Sequence, residues 1–369
     1  MMGCSFKPSG LYVWRIGVMV KLRGTIALSA AVGLIFSTAL VAQKKDEKKL
    51  DDKQKKEIQN VVKAADDAEA GQPAANDLAL TWAHEDFLKA LANKGFVPFS
   101  VTLDPSKVSG GTVVLYWRVI AKGGAPAAVD PAAKGKTDDK DKDKKPAYAY
   151  EDISFVPATR DAPMRISRSF TVAAGAYDVF VVAKEQAPDK APKNAPAPKT
   201  ALIKQTVTVP DFWNGELSSS SVLIAKSIDP LAAPLTPQQQ AERPYALGAI
   251  EIQPVFDTKF SKKGELSTFM LIYNPKTGPG NKPDVMVEYN FYSKEGGTEK
   301  FFNKTSPQAL NAETLPPQFD IAAGHQLQTG QAVPLASFPE GDYRLEIKIT
   351  DKIANKSLTR DVNFTVTAG

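Results

Sequence analysis

Cysteine is all but missing from this chain: among 369 residues there is one, Cys4, close to the N-terminus. No Leu-x-x-Cys-like lipobox surrounds it, so no lipid anchor is expected there. Without it no disulfide can form, and thiolate metal sites and cysteine nucleophiles are excluded as well. Histidine is nearly as scarce, with His84 and His325 alone. There is no His-Glu-x-x-His, which removes the common zinc-protease site, and no Gly-x-Ser-x-Gly, which removes the nucleophile elbow of serine hydrolases. No glycine-rich phosphate loop follows a strand-like run. These absences point to a protein that is not an enzyme and takes no cofactor or metal. Paired carboxylates are the exception, because the fold rather than the spacing brings them together. Glu288 beside Tyr289, and Glu85 with Asp86, keep an extracytoplasmic hydrolase open as an alternative.

A strong charge of either sign is also missing. The formal net charge is +5, but residues 1–42 hold Lys7, Arg15, Lys21 and Arg23 and no acid. The 46 basic residues less these four leave 42 against 41 acidic ones, a net of +1. No basic face interleaved with aromatics is visible, so nucleic acid is not an expected partner. The stretch "KLRGTIALSAAVGLIFSTALVAQ" explains the imbalance. Lys21 and Arg23 form a basic n-region and Thr25 to Phe36 an apolar h-region. Ser37-Thr38-Ala39 then offers a small-x-small cleavage site, with Leu40-Val41-Ala42 a second. Residues 1–42 are therefore read as a signal peptide and the mature protein as periplasmic or secreted. The alternative is an uncleaved anchor, since the apolar run 24–42 is just long enough to span a bilayer.

What is present is the material of β-structure. Hydrophobic residues make up 43% and charged residues 24%, the balance of a globular protein. The 27 prolines favour short strands and turns over long helices. Residues 43–95 are expected to form a charged helical N-terminal region. Leu50, Ile58, Val61, Val62 and Ala65 give a thin stripe at helical spacing. In "LTWAHEDFLKALANKG", residues 80–95, Trp82, Phe87, Leu88 and Leu91 can share one face of a second helix. From Phe96 the period drops to two, through Val97, Phe99, Val101 and Leu103 and again through Val113, Leu115, Trp117 and Val119. A first β-module is expected over 96–212, with disordered inserts at 122–147 and 185–200, where Ala, Pro, Lys and Asp crowd out apolar residues. The acids near Asp138 lack the glycine and closing glutamate of a calcium loop. A second module is expected over 213–369, with an exposed loop at 229–244.

The two modules repeat one order of elements. "FVPFSVTLDPSKVSGGTVVLYWRVIAK" is answered by "IEIQPVFDTKFSKKGELSTFMLIYNPK", and "VAAGAYDVFVVAKE" by "FPEGDYRLEIKITDK". Both copies close on an alternating strand, which indicates a tandem duplication. Gly175 and Gly341 suit a backbone with positive φ. Tyr177 and Tyr343 each open a strand whose alternate side chains face inward.

The phrase Pro-x-Gly-x-Tyr-x-Leu-x-Ile-x-x-x-Asp, read at Pro339 to Asp351, resembles the closing hairpin of Ig-like or fibronectin-type modules in bacterial secreted proteins. The tyrosine placed there is similar to the tyrosine corner of Ig-like sandwiches. The first copy lacks both the proline and the aspartate. The chain as a whole resembles a family of uncharacterised exported bacterial proteins. That resemblance implies a mainly β fold of two tandem Ig-like antiparallel β-sandwich modules behind a short helical N-terminal region, in an extracytoplasmic compartment, and no activity. The expected role is binding or scaffolding at the cell envelope, with an envelope protein or a polysaccharide as partner. Phe212, Trp213, Tyr289, Tyr292 and His325 are the candidate contact residues. The aromatics Phe212 and Trp213 stand where a linker is ordinarily polar, and either pack at the module junction or form an exposed platform. Carbohydrate binding, the first alternative, requires Trp213, Tyr289 or Tyr292 to stand exposed on one sheet face.

Overall fold

The computed structural model describes residues 51–109, 111–123, 148–159, 161, 163–187, 197–233 and 235–369. The leader or anchor, most of the insert at 122–147 and the middle of the insert at 185–200 lie outside the described residues. The chain is mainly β, with largely antiparallel sheets and a short N-terminal helix. It divides into two units. The N-terminal unit takes the described residues of 51–221 together with Pro230–Glu251, and the C-terminal unit takes Val222–Asp229 and Ile252–Gly369. The division thus falls at 221/222 rather than 212/213, and nearly all of the stretch 229–244 counts with the N-terminal unit.

The N-terminal unit contains helix α1 (Asp52–Glu69) and strands β1 (Thr81–Glu85), β2 (Leu88–Lys89), β3 (Lys94–Leu103) and β4 (Thr112–Ala121). Strands β5 (Tyr150–Pro157), β6 (Met164–Ala173), β7 (Gly175–Glu185), β8 (Thr200–Val209) and the two-residue β9 (Ser218–Ser219) follow. In one sheet β3 pairs with β6 and with β1 and β2; the other runs β5-β4-β7-β8. Val97, Phe99, Val101 and Phe170 from the first share a core with Leu115, Trp117, Val119 and Val181 from the second. Each such side chain contributes roughly 1.5–3 kcal/mol by leaving water.

The helix expected over 80–95 does not form. Its residues make β1 and β2 instead, and Trp82 stacks on Phe99 of β3 with ring centroids 4.9 Å apart. Ala92 and Asn93 each have φ of 57°, a left-handed conformation that ends any helix. Pairing with β3 outweighs the helical spacing of Trp82, Phe87, Leu88 and Leu91, as tertiary contacts routinely do.

Helix α1 does form, capped by a reciprocal bond pair between Asp51 and Gln54. It lies on the outer face of β5-β4-β7-β8, where Val61 and Ala65 pack against Val114, Tyr116, Phe180 and Val182. This explains why "VVLYW" and "VFVVA" are unbroken apolar runs: both faces of the sheet are buried there. Two charged clamps hold the helix. Lys184 donates to Glu57 at 2.5 Å. Arg118, only 1% exposed, donates to Asp66 at 2.6 Å, to Glu69 at 3.1 Å and to the Tyr116 hydroxyl at 2.9 Å.

The chain continues through β10 (Leu223–Pro230), α2 (Pro237–Glu242), β11 (Ala246–Leu247) and β12 (Ile250–Pro254). The short helix α2, capped by Thr236 and Gln239, stands inside the stretch expected to be loop. The C-terminal unit adds β13 (Lys259–Ser261), β14 (Glu265–Tyr273), β15 (Val285–Glu295) and β16 (Thr298–Lys304). Then come β17 (Gln308–Leu310), β18 (Leu327–Pro334), β19 (Gly341–Asp351) and β20 (Lys356–Thr367). β14 pairs with β10 and β18, and a second sheet runs β13-β20-β19-β15-β16 with β17 also on β15. The pairings β3–β6 and β5-β4-β7-β8 thus recur as β14–β18 and β16-β15-β19-β20.

The repeated hairpin is the same device twice. Gly175 and Gly341 have φ of 149° and 145°, in the region open to glycine. The Tyr177 hydroxyl donates to Ala173 O at 2.9 Å and the Tyr343 hydroxyl to Pro339 O at 2.8 Å. The first copy has no aspartate at the strand's end, yet the role is filled. Asp351 accepts from the backbone of Lys276, Ile353 and Ala354. Glu185, eight residues after Tyr177 as Asp351 is after Tyr343, accepts from the backbone of Ser109 and Lys199.

Candidate interaction surface

The hairpin tyrosines put the two copies in register, and the outer sheet faces then differ in kind. Where the N-terminal unit has Phe180 and Val182 under α1, the C-terminal unit has Glu346 and Lys348. Where it has Val114 and Tyr116, the C-terminal unit has Met286 and Glu288. Strands β15 and β19 accordingly alternate buried and wet positions, the pattern of a sheet with one solvated face.

One row of that face is not simply polar. Across four strands, Phe301 of β16 stands opposite Tyr292 of β15, Tyr292 opposite Arg344 of β19, and Arg344 opposite Asn363 of β20. A bulge in the β15–β16 pairing resets the alternation here. It turns Phe302 inward onto Phe338, with centroids 4.9 Å apart, and leaves Phe301 on the outside. Phe301 is 58% exposed, and its ring meets Tyr292 edge to face at 5.9 Å. The Arg344 guanidinium lies 4.5 Å from the Tyr292 ring centroid. Three carboxylates hold it, with nitrogen–oxygen distances of 2.8 Å to Glu299, 3.2 Å to Glu346 and 2.6 Å to Asp361. The Glu299 hydrogen bond leads in keeping the guanidinium charged, and Arg344 in turn holds the Glu299 carboxyl below its usual range.

Beside the row lies a depression of about 190 Å³ lined by Lys294, Asp342, Asn363 and Thr365. Lys294 donates to Asn363 at 2.7 Å and Thr365 to Asp342 at 2.6 Å. Arg344, Lys294, Asn363, Asp342 and Thr365 are therefore positioned before a ligand arrives.

Of the residues the sequence singled out, Tyr292 joins this surface. Tyr289 does not: it is 1% exposed, bonded to Thr329 at 2.9 Å, and burial pushes its hydroxyl up to about 12. It points inward because it lies an odd number of residues from Tyr292. His325 holds its own loop, accepting from the Asp320 backbone at 2.9 Å. Phe212 is 2% exposed. Trp213 is 39% exposed, donates to Lys94 O at 3.1 Å, and carries the Lys89 ammonium 4.1 Å from its ring centroid. Phe301, Arg344 and Asn363 escaped the sequence reading. The signal was Gly296-Gly297, with φ of 56° and 81°. A two-residue turn of this kind fixes hairpin register, and counting back from it sets Tyr292 against Phe301.

A second polar group lies within the N-terminal unit. The buried Asp86 carboxylate accepts from the Tyr245 hydroxyl at 2.9 Å and lies 3.1 Å from His84 Nε2. Burial works against the charged imidazole, but the hydrogen bond and charge of Asp86 outweigh it and raise the His84 pKa. Glu85, the other half of the suggested carboxylate pair, is occupied by the Trp82 indole at 2.5 Å. Glu288 faces Lys348 at 3.7 Å. Among the described residues, no three His, Cys, Asp or Glu side chains are grouped to hold a metal ion. No helix among them is long and apolar enough to cross a membrane, and residues 24–42 lie outside them.

No known protein family and no curated protein matches the sequence. Among solved structures, red sea bream transglutaminase overlaps 86% of this chain and 34% of its own, at 9% identity and a TM-score of 0.18. Trypsin-activated alpha-2-macroglobulin from Escherichia coli overlaps 80% of this chain and 17% of its own, at 12% identity and a TM-score of 0.21. The chain thus spans about a third of the first protein and about a sixth of the second. Overlap this slight identifies neither fold nor function.

Proposed function

We propose that this chain is an exported, non-catalytic binding protein of the cell envelope, built of two Ig-like modules. Its working surface is the open face of the C-terminal unit. Export rests on the signal-like composition of residues 1–42. The Ig-like reading is supported by the two tyrosines tied back to backbone four residues upstream. The observation that carries the binding role is Phe301, a large apolar ring 58% exposed amid paired charges.

The test is co-sedimentation of the purified protein with envelope fragments. Wild type pellets with the fragments, and Phe301→Ser stays in the supernatant with its melting temperature unchanged, because the ring packs on little. Equal pelleting of both proteins refutes the assignment of this face. A mature N-terminus between Leu40 and Lys44 supports export, whereas an intact leader in the membrane fraction establishes the anchor.

A further inference from the structure

We infer that the row Phe301–Tyr292–Arg344–Asn363 is a binding site for a neutral, extended glycan chain, with one sugar ring seated in the adjoining depression. This inference rests on the open face being the working surface. Four features of the surface carry it.

The first is spacing. The four side chains belong to successive paired strands, so they follow one another at about 4.8 Å across the face. That step is comparable to the advance of one residue along an equatorially linked glycan. The second is chemistry. All four groups are planar: two aromatic rings, a guanidinium and an amide. The exposed Phe301 ring can accept the apolar C–H face of a pyranose and the Asn363 amide nitrogen can donate to its hydroxyls, while Tyr292 and Arg344, 4.5 Å apart, brace the row. The third is size. At about 190 Å³ the depression is smaller than the 300–1,000 Å³ usual for drug-sized ligands. It suits a single ring edged by Lys294, Asp342 and Thr365 rather than a cluster of protein side chains.

The fourth is charge. Glu299, Glu346 and Asp361 converge on Arg344, with Lys294 3.6 Å from Glu299 as a second cation and Asp342 as a fourth carboxylate beside it. Carboxylate is thus in excess around the row, which disfavours uronates, sulfated polymers and nucleic acid and admits a neutral chain. A protein partner fits less well. Protein hot spots centre on anchors enclosed by apolar neighbours, whereas Phe301 has Glu299, Lys300 and Asn303 around it on β16.

The test is calorimetric titration of the full chain with chitohexaose, a neutral β-1,4-linked hexamer, and with hexagalacturonate as the acidic control. Chitohexaose binds, Phe301→Ala and Asn363→Ala each weaken it about tenfold or more, and hexagalacturonate binds at least tenfold more weakly. Absence of chitohexaose binding, an unchanged affinity in Phe301→Ala, or equal binding of the acid hexamer overturns the inference. The two readings fail separately. If Phe301→Ser abolishes envelope co-sedimentation while chitohexaose does not bind, the face stands and its ligand is not a neutral glycan chain of this kind. If co-sedimentation is indifferent to Phe301, the face itself is wrong.

Discussion

The Tyr343 hydroxyl donates to the carbonyl of Pro339, 2.8 Å away, while its ring stacks on Phe364 at 5.4 Å. One side chain thereby fixes the entry of β19 and fills the core of its unit. Tyr177 repeats the hydroxyl bond on Ala173. Tyr343→Phe keeps the ring and loses only the bond, at about 0.5–1.5 kcal/mol. Tyr343→Ala costs about 3–5 kcal/mol, as loss of a buried aromatic does. Hydrogen exchange read by peptide places that loss in the C-terminal unit for Tyr343→Ala and in the N-terminal unit for Tyr177→Ala. Equal loosening of both units by either change would mean that they share one cooperative core.

Arg118→Met keeps the packing of the stem and removes the charge that Asp66 and Glu69 share. Exchange across residues 52–69 rises, while β4 and β7 stay protected on their inner face. Lowering the pH works on the other clamp. The Glu57 carboxyl is held below its usual range: burial opposes this, and the Lys184 hydrogen bond and charge overcome it. Its contribution is present above the ordinary carboxylate pKa and is lost as pH falls through the depressed value. Glu57→Gln removes that acid sensitivity of α1. Unaltered protection in both variants would show that Val61 and Ala65 suffice to hold the helix.

His84 gives the N-terminal unit a second pH dependence, of opposite sign. Its pKa in the folded protein is raised above the ordinary 6.5. Stability from the His84–Asp86 pair is therefore full below about 6.5 and declines as pH rises through the folded value. Glu85 favours the charged ring and Arg165 opposes it, so the net direction belongs to Asp86. Urea titrations between about pH 5.5 and 8.5 should show the decline, and Asp86→Asn should flatten it. A slope that persists in Asp86→Asn assigns the effect elsewhere.

Gly330 is a steric test of the β14–β18 pairing. A Cβ placed there lies 2.4 Å from the Thr268 carbonyl oxygen and 3.3 Å from Phe269 Cα. Both contacts are backbone, so neither can swing away. Gly330→Ala costs about 1–3 kcal/mol through the forced shift, read as a lower urea midpoint of the C-terminal unit. No change in midpoint would mean that the two strands separate at no cost.

Alternation made β3, β15 and β19 legible, since Val97, Phe99 and Val101 or Leu345, Ile347 and Ile349 return every second residue. The same reading undervalued Val114, Tyr116 and Val182. Their presence between inward-facing residues was the sign of a second covered face, and α1 is what covers it. Trp82 and Leu88 misled because five- and two-residue strands are too short to show a period against a helical one. The site was half legible. Tyr292 stood out as an aromatic, but Phe301 and Asn363 become its neighbours only through pairing, which composition does not record.

The clamp between Glu57 and Lys184 joins residues 127 positions apart. A chain emerging from its N-terminus therefore presents α1 well before β4 and β7 exist to receive it. Most helical stability in proteins comes from tertiary packing, and this 18-residue helix spends that interval without the side chains it packs on. Its docking waits on β4 and β7, whose outer face it covers. Until then Val114, Tyr116, Phe180 and Val182 form a bare apolar strip, and that strip is where a holding chaperone would find the unfinished protein.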